Sequence, residues 1–231
     1  MNILNDYKKK AENFSIDKYK LEDINKGKGR SFELEINDNI IKYEREFFLY
    51  EQISFKFRNN IEWSILMHNT FNNSSENISN MDFAMPKFNQ ITIDHIIVKP
   101  YAIFVLEAKN HRKDTVYIPK QLFWQAECEF IDNPVFQVLK YALIIEQFLK
   151  YYNISLPVIP KVFFRQKLDL QYISEKEQEY CCHISELSRM FKDAENKYPK
   201  KHNDALRFVK AMYYNACHPI AYDDIEVWSK K

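Results

Sequence analysis

The sequence has only two glycines, and both fall in Asn25-Lys26-Gly27-Lys28-Gly29-Arg30, a stretch that reads as a loop. It also lacks net charge. Lysine plus arginine (33) nearly cancels aspartate plus glutamate (32), so no global positive field advertises a nucleic-acid partner, although a local basic groove is compatible with that balance. No apolar run approaches the length a bilayer requires, and Met1-Asn2-Ile3-Leu4-Asn5-Asp6 lacks the basic-then-apolar layout of a secretion signal; a cytoplasmic protein without a membrane partner is expected. Cysteine is scarce as well. Four cysteines, two of them adjacent at Cys181 and Cys182, do not make a disulfide framework and fit free thiols in a reducing compartment. Cys181, Cys182, His183, Cys217 and His218 are metal-capable types, but the paired spacing of structural zinc sites is missing, so buried apolar cysteine is the expectation.

What is present is core material. With 46% hydrophobic and 16% aromatic residues in 231, the chain can fill one main core. Residues 1–39 alternate lysines with acids and read as an N-terminal arm or linker, whose Lys26, Lys28 and Arg30 are taken as solvated rather than phosphate-binding. Residues 40–165 read as the core and 166–231 as an extension packed on it. Within the core, Ile41, Phe47, Phe48, Leu49 and Ile53 recur near helical spacing and predict an amphipathic helix over 40–56. A short strand is predicted at 63–67 and a polar Asn/Ser loop at 69–80. Asp132-Asn133-Pro134 carries a helix-opening signal, an Asx-type cap followed by proline at the first helical position. The apolar residues from Val135 to Leu149 supply that helix with a buried face, Pro157 ends the run, and 158–164 reads as a strand. Helices are predicted near 185–196 and 204–214. The strand, strand, helix, strand order of the core indicates an α/β fold with a mixed sheet flanked by helices.

The chemistry concentrates in one hairpin. Ile91 to Val98 and Ala102 to Lys109 are β-branched and aromatic runs separated by Lys99-Pro100-Tyr101, a pattern that predicts two strands deep in a sheet. Side chains alternate along a strand, so Glu107 and Lys109 emerge on one face, and Asp94 sits on the partner strand. Two carboxylates, with a strand carbonyl near Ala108, are what Mg2+ or Mn2+ needs from a protein, and Lys109 would hold or help deprotonate an attacking water. Acids placed at strand ends among Ile and Val are costly unless a cation or hydrogen bonds compensate. The plain alternative is a solvated hairpin end with an ordinary Glu/Lys pair.

Asp94, followed by Glu107-Ala108-Lys109, resembles the D…ExK signature of the PD-(D/E)XK nuclease superfamily. More narrowly, Ile93-Asp94-His95-Ile96-Ile97-Val98, then Ile103 to Asn110, then Asn133-Pro134-Val135-Phe136-Gln137, is similar in order and spacing to the nuclease-related domain family. The resemblance implies a restriction-endonuclease-like fold, magnesium or manganese on Asp94 and Glu107, catalytic assistance from Lys109, and DNA as substrate. It further implies an upstream helical acid with apolar residues three and seven positions later. Glu46 fits that offset through Leu49 and Ile53, and Glu44 is the weaker competitor. Gln137 and Tyr141 match the Gln-x-x-x-Tyr helix motif of RecB-type nucleases; one turn apart, they share a face. The family's glycines beside the upstream acid and in the hairpin are absent, and Ile93 stands where the superfamily often has proline. The expected site is therefore Glu46, Asp94, Glu107, Lys109 and Gln137, with the Ala108 carbonyl as a metal ligand. His95 and His111 are expected to be hydrogen-bonded structural histidines, and Trp124 and Phe123 core residues rather than base-stacking platforms. A homodimer would suit cutting of two strands. The competing reading is a nuclease-like module that binds nucleic acid or a protein partner without cutting.

Overall fold

In the computed structural model, residues 15–18, 28–56, 90–110, 117–120, 123–126, 129–166, 173–215, 217–218 and 221–222 are described. The elements run β1 (Ser15–Lys18), α1 (Lys28–Tyr43), β2 (Phe48–Lys56), β3 (Gln90–Val98), β4 (Ile103–Lys109), β5 (Tyr117–Lys120), β6 (Phe123–Ala126), β7 (Glu129–Asp132), α2 (Pro134–Tyr151) and β8 (Val158–Phe164). A one-turn α3 (Glu175–Gln178), β9 (Cys181–His183), α4 (Leu187–Lys197), α5 (His202–Tyr214) and the short β10 (Ala221–Tyr222) complete them.

The main sheet has the order β1-β2-β3-β4-β8-β9, with β10 also on β2. Strands β1 to β4 pair antiparallel, and β4, β8 and β9 pair parallel, so the sheet is mixed. Strands β5 to β7 form a separate antiparallel sheet. Helices cover both faces of the main sheet, giving the expected α/β architecture. On one face, Val135, Val138, Ile145 and Phe148 of α2 and Phe208 of α5 pack on Phe48, Ile93, Val105 and Val162. On the other, Phe32, Ile36 and Ile40 of α1, spaced one turn apart, join Leu187 and Phe191 of α4 over Leu49, Ile97, Phe104 and Leu106. Strand β4 is buried on both sides, as its continuous apolar run requires.

Helix α2 begins as its sequence indicates: the Asn133 side chain accepts hydrogen bonds from the amides of Val135 (2.9 Å) and Phe136 (3.4 Å), and Pro134 takes the first turn. Strand β8 and helices α4 and α5 also fall where the sequence places them.

Two expectations are corrected. Lys28 and Gly29 open a helix instead of lying in a loop, and α1 ends at Tyr43. The helix predicted over 40–56 is instead the last turn of α1 followed by β2. The near-helical spacing has a physical origin in that strand. Phe48 and Tyr50 face the α2 side, but so do Ile53 and Phe55, so the period-two alternation slips by one between Tyr50 and Ile53 and imitates a longer period. Residues 63–67, 69–80 and His111 lie outside the described residues. No described helix is long and apolar enough to cross a membrane.

The hairpin turn is anchored by Lys99. Its ammonium, buried with the rest of the side chain, pairs with Glu44 at 2.8 Å, donates to the Arg45 carbonyl at 2.7 Å, and lies over the rings of Phe47 and Phe191. One cation thus joins the β3–β4 turn, the α1–β2 connection and α4.

Candidate functional site

The β3–β4 ladder runs from Val98↔Ile103 to His95↔Leu106 and stops. The next opposed pair would be Asp94 and Glu107. There the strands part, and the Asp94 carboxylate, through Oδ2, accepts the Ala108 amide at 3.0 Å in place of a ladder bond. Glu107 and Lys109 share one face of β4, turned toward α2, where Lys109 Nζ pairs with Glu107 Oε1 and also donates to Gln137 Oε1 at 3.1 Å. Gln137 Nε2 donates in turn to the Tyr141 hydroxyl at 2.8 Å. Asp94, Glu107, Lys109, Gln137 and Tyr141, predicted from separate motifs, are therefore brought together.

Glu107 is the electrostatic centre of this group. It is buried, with 3% exposure; its Oε2 makes no hydrogen bond of ordinary geometry among the described residues, and the Tyr141 hydroxyl and Asp94 carboxyl lie against the same group. Burial first, then the neighbouring Asp94 charge, push its carboxyl from 4.5 up to about 8, against the opposing pull of Lys109. Burial pulls Lys109 down, but its pairing with Glu107 outweighs that and leaves its pKa raised, so the ammonium keeps its proton. Tyr141 is held well above the usual phenol range by burial and by the Glu107 and Asp94 charges.

The structure does not bring Glu46 to this cluster. Glu46 lies in the turn before β2, six residues before Gln52, where its carboxylate accepts from Lys200 at 3.2 Å. Glu44 is committed to Lys99 and Ser188. The helical acid that does reach the cluster is Glu33 of α1: Gln52 Nε2 donates both to Glu33 Oε2 at 3.0 Å and to Asp94 Oδ1 at 3.1 Å. The sequence signal for Glu33 was available, since Ile36 and Ile40 stand three and seven positions later and both are buried. Gln52 carried no such signal.

Gln52 explains the slipped alternation of β2. Among the described non-glycine residues with positive φ, Glu46 and Asn153 lie in connections, whereas Gln52, at φ 50°, lies inside a strand. A left-handed residue there costs on the order of 1 kcal/mol. It turns two consecutive side chains toward α1, with Glu51 accepting from Asn37 at 2.8 Å and Gln52 reaching Glu33. Neither strand gains a residue, because Glu51 faces His95 and Ile53 faces Ile93.

His95 is buried close to Glu33, Glu51 and Asp94, and burial lowers its pKa. Its ring lies at hydrogen-bonding range of the Glu33 backbone, although neither nitrogen makes a bond of ordinary geometry among the described residues. Trp124 is a core residue, stacked on Phe164 with ring centroids 6.1 Å apart, while nothing is described of the Phe123 side chain. Cys181, Cys182 and Cys217 are free thiols, the last buried, and His183 caps the turn before α4.

No group of three or more His, Cys, Asp or Glu side chains is arranged to hold a metal among the described residues. The oxygen set at the parted strands is smaller, two carboxylates and a neighbouring backbone carbonyl. It nevertheless suits a hard divalent cation that retains waters, and the buried Glu107 Oε2 keeps acceptor capacity such an ion would use.

Among known families, the model described as "Nuclease-related domain" matches residues 42–165, just over half of the chain. No curated protein and no solved structure matches it.

Proposed function

We propose that this chain, which belongs to the nuclease-related domain family, is a metal-dependent nuclease that hydrolyses DNA phosphodiester bonds at the parted ends of β3 and β4. One observation carries this reading. Two acids from neighbouring strands meet beside a lysine, one of them deeply buried, an arrangement costly to keep ionised unless a cation or hydrogen bonds compensate. Asp94, Glu107 and the Ala108 carbonyl would hold Mg2+ or Mn2+. When bound, the ion supplies positive charge that makes a water more acidic and offsets charge building on the phosphate.

The protein's own groups have separable tasks. Lys109 remains protonated, so its ammonium orients the attacking water and faces the phosphate as a fixed charge. Gln137 accepts from Lys109 Nζ and is itself held by Tyr141, so helix α2 fixes where the ammonium points. Glu33 takes the place expected of Glu46, contributing a third carboxylate from α1 through its link to Asp94.

The test is cleavage of linear, circular and single-stranded DNA by purified protein, with and without Mg2+ or Mn2+, beside Asp94→Ala and Lys109→Ala. Metal-dependent cleavage by the wild type, lost in both variants, is the expected result. DNA binding without cleavage in either metal would replace this reading with that of a non-cutting module.

A further inference from the structure

We infer that Gln52 is a positioning residue that ties Glu33 of α1 to Asp94 of β3 and so presets the acidic side of the site for a cation; the inference rests on the metal-dependent reading above. Three observations carry it. The two N–H bonds of one amide nitrogen are divided between two carboxylates from different elements, at 3.0 and 3.1 Å. Their backbone carrier is a non-glycine residue held left-handed inside a strand, at φ 50°. The shift it imposes is what turns Glu51 and Gln52 together toward α1, while Ile53 and Phe55 return to the α2 side.

Packing alone does not account for that geometry. A residue chosen only to cross this point of β2 would be glycine, which adopts positive φ freely, or would keep the ordinary alternation. The glutamine makes sense through its side chain. Two like-charged carboxylates repel, and an amide donor between them keeps both aimed at one region without drawing on the Glu107 carboxyl. Partners of this kind, which orient ligands without being ligands, typically change metal affinity by roughly tenfold to a hundredfold when removed.

Gln52→Gly separates the two roles, because glycine keeps the left-handed backbone while deleting the amide. Mn2+ calorimetry on wild type and Gln52→Gly is expected to show affinity lower by roughly tenfold to a hundredfold in the variant, with the apoprotein still unfolding in one cooperative transition. Adding Glu33→Gln completes a double-mutant cycle, and the two losses should be less than additive if Gln52 acts through Glu33. Should Gln52→Gly fail to fold, Gln52→Asn, which tolerates the same backbone but is too short to bridge both acids, is judged by the same criteria. Wild type and variant binding Mn2+ equally would overturn this inference and leave the proposed function standing. A wild type that does not bind Mn2+ would overturn both.

Discussion

With its carboxyl pushed up to about 8 by burial and by Asp94, Glu107 would make the proposed cation binding a proton-releasing event. Near pH 7 such a group is about nine-tenths protonated, so seating a divalent ion on its carboxylate must expel close to one proton. An ordinary carboxyl, at 4.5, would already be ionised and expel almost none. The apparent Mn2+ affinity should therefore climb about tenfold per pH unit until about pH 8 and level off above it, because the proton competes only below the pKa. Calorimetric titration in pairs of buffers that differ in protonation enthalpy counts the protons directly. About 0.9 is expected near pH 7 and about 0.1 near pH 9. The same count at both values, or no release near pH 7, would refute the reasoning, since either result means that the ion does not displace the Glu107 proton.

The apoprotein carries the same group as a stability cost: a carboxyl whose folded pKa lies above its unfolded one favours folding fully below about 4.5 and loses that contribution as pH rises to about 8. Glu107→Gln should therefore unfold with a flatter pH dependence than wild type over that window, by a few kcal/mol in urea titrations, while losing Mn2+ binding. Tyr141→Phe keeps the ring packing and removes the acceptor of Gln137 Nε2; cleavage should fall several-fold with Mn2+ affinity unchanged, as read by initial rates and calorimetry. Asn133→Ala removes the cap of α2 and a bond to Glu177 at 3.0 Å, and should cost about 1–2 kcal/mol in denaturant unfolding without altering the metal site.

The half of the site that lies on the hairpin was legible because strand alternation is local: Glu107 and Lys109 must share a face, and their apolar neighbours place them in the sheet. Gln137 and Tyr141 came from the resemblance to RecB-type nucleases, and helical spacing behind the Asn133-Pro134 cap added only that they share a face. The convergence of Asp94 with Glu107 was not legible, since it depends on a register that ends one pair short of them. Strand β2 misled for a definable reason, as a left-handed Gln52 broke its alternation into something resembling a helix. That error displaced the upstream acid: with 40–56 read as helix, Glu46 satisfied the spacing, and the true helix, carrying Glu33 with Ile36 and Ile40, lay hidden behind a glycine pair. Gln52 itself was beyond reach, because its partners lie on two other elements.

Lys99 has a practical corollary for anyone trimming this protein. The family match starts at residue 42 and stops at 165, yet the ring of Phe191 that roofs Lys99, the α5 residue Phe208 inside the core, and Glu33 itself all fall outside those limits. A fragment cut to the matched borders would bare the sheet on both flanks and leave an interior ammonium half uncovered. The matched region thus holds less than the full set of residues that pack its two faces.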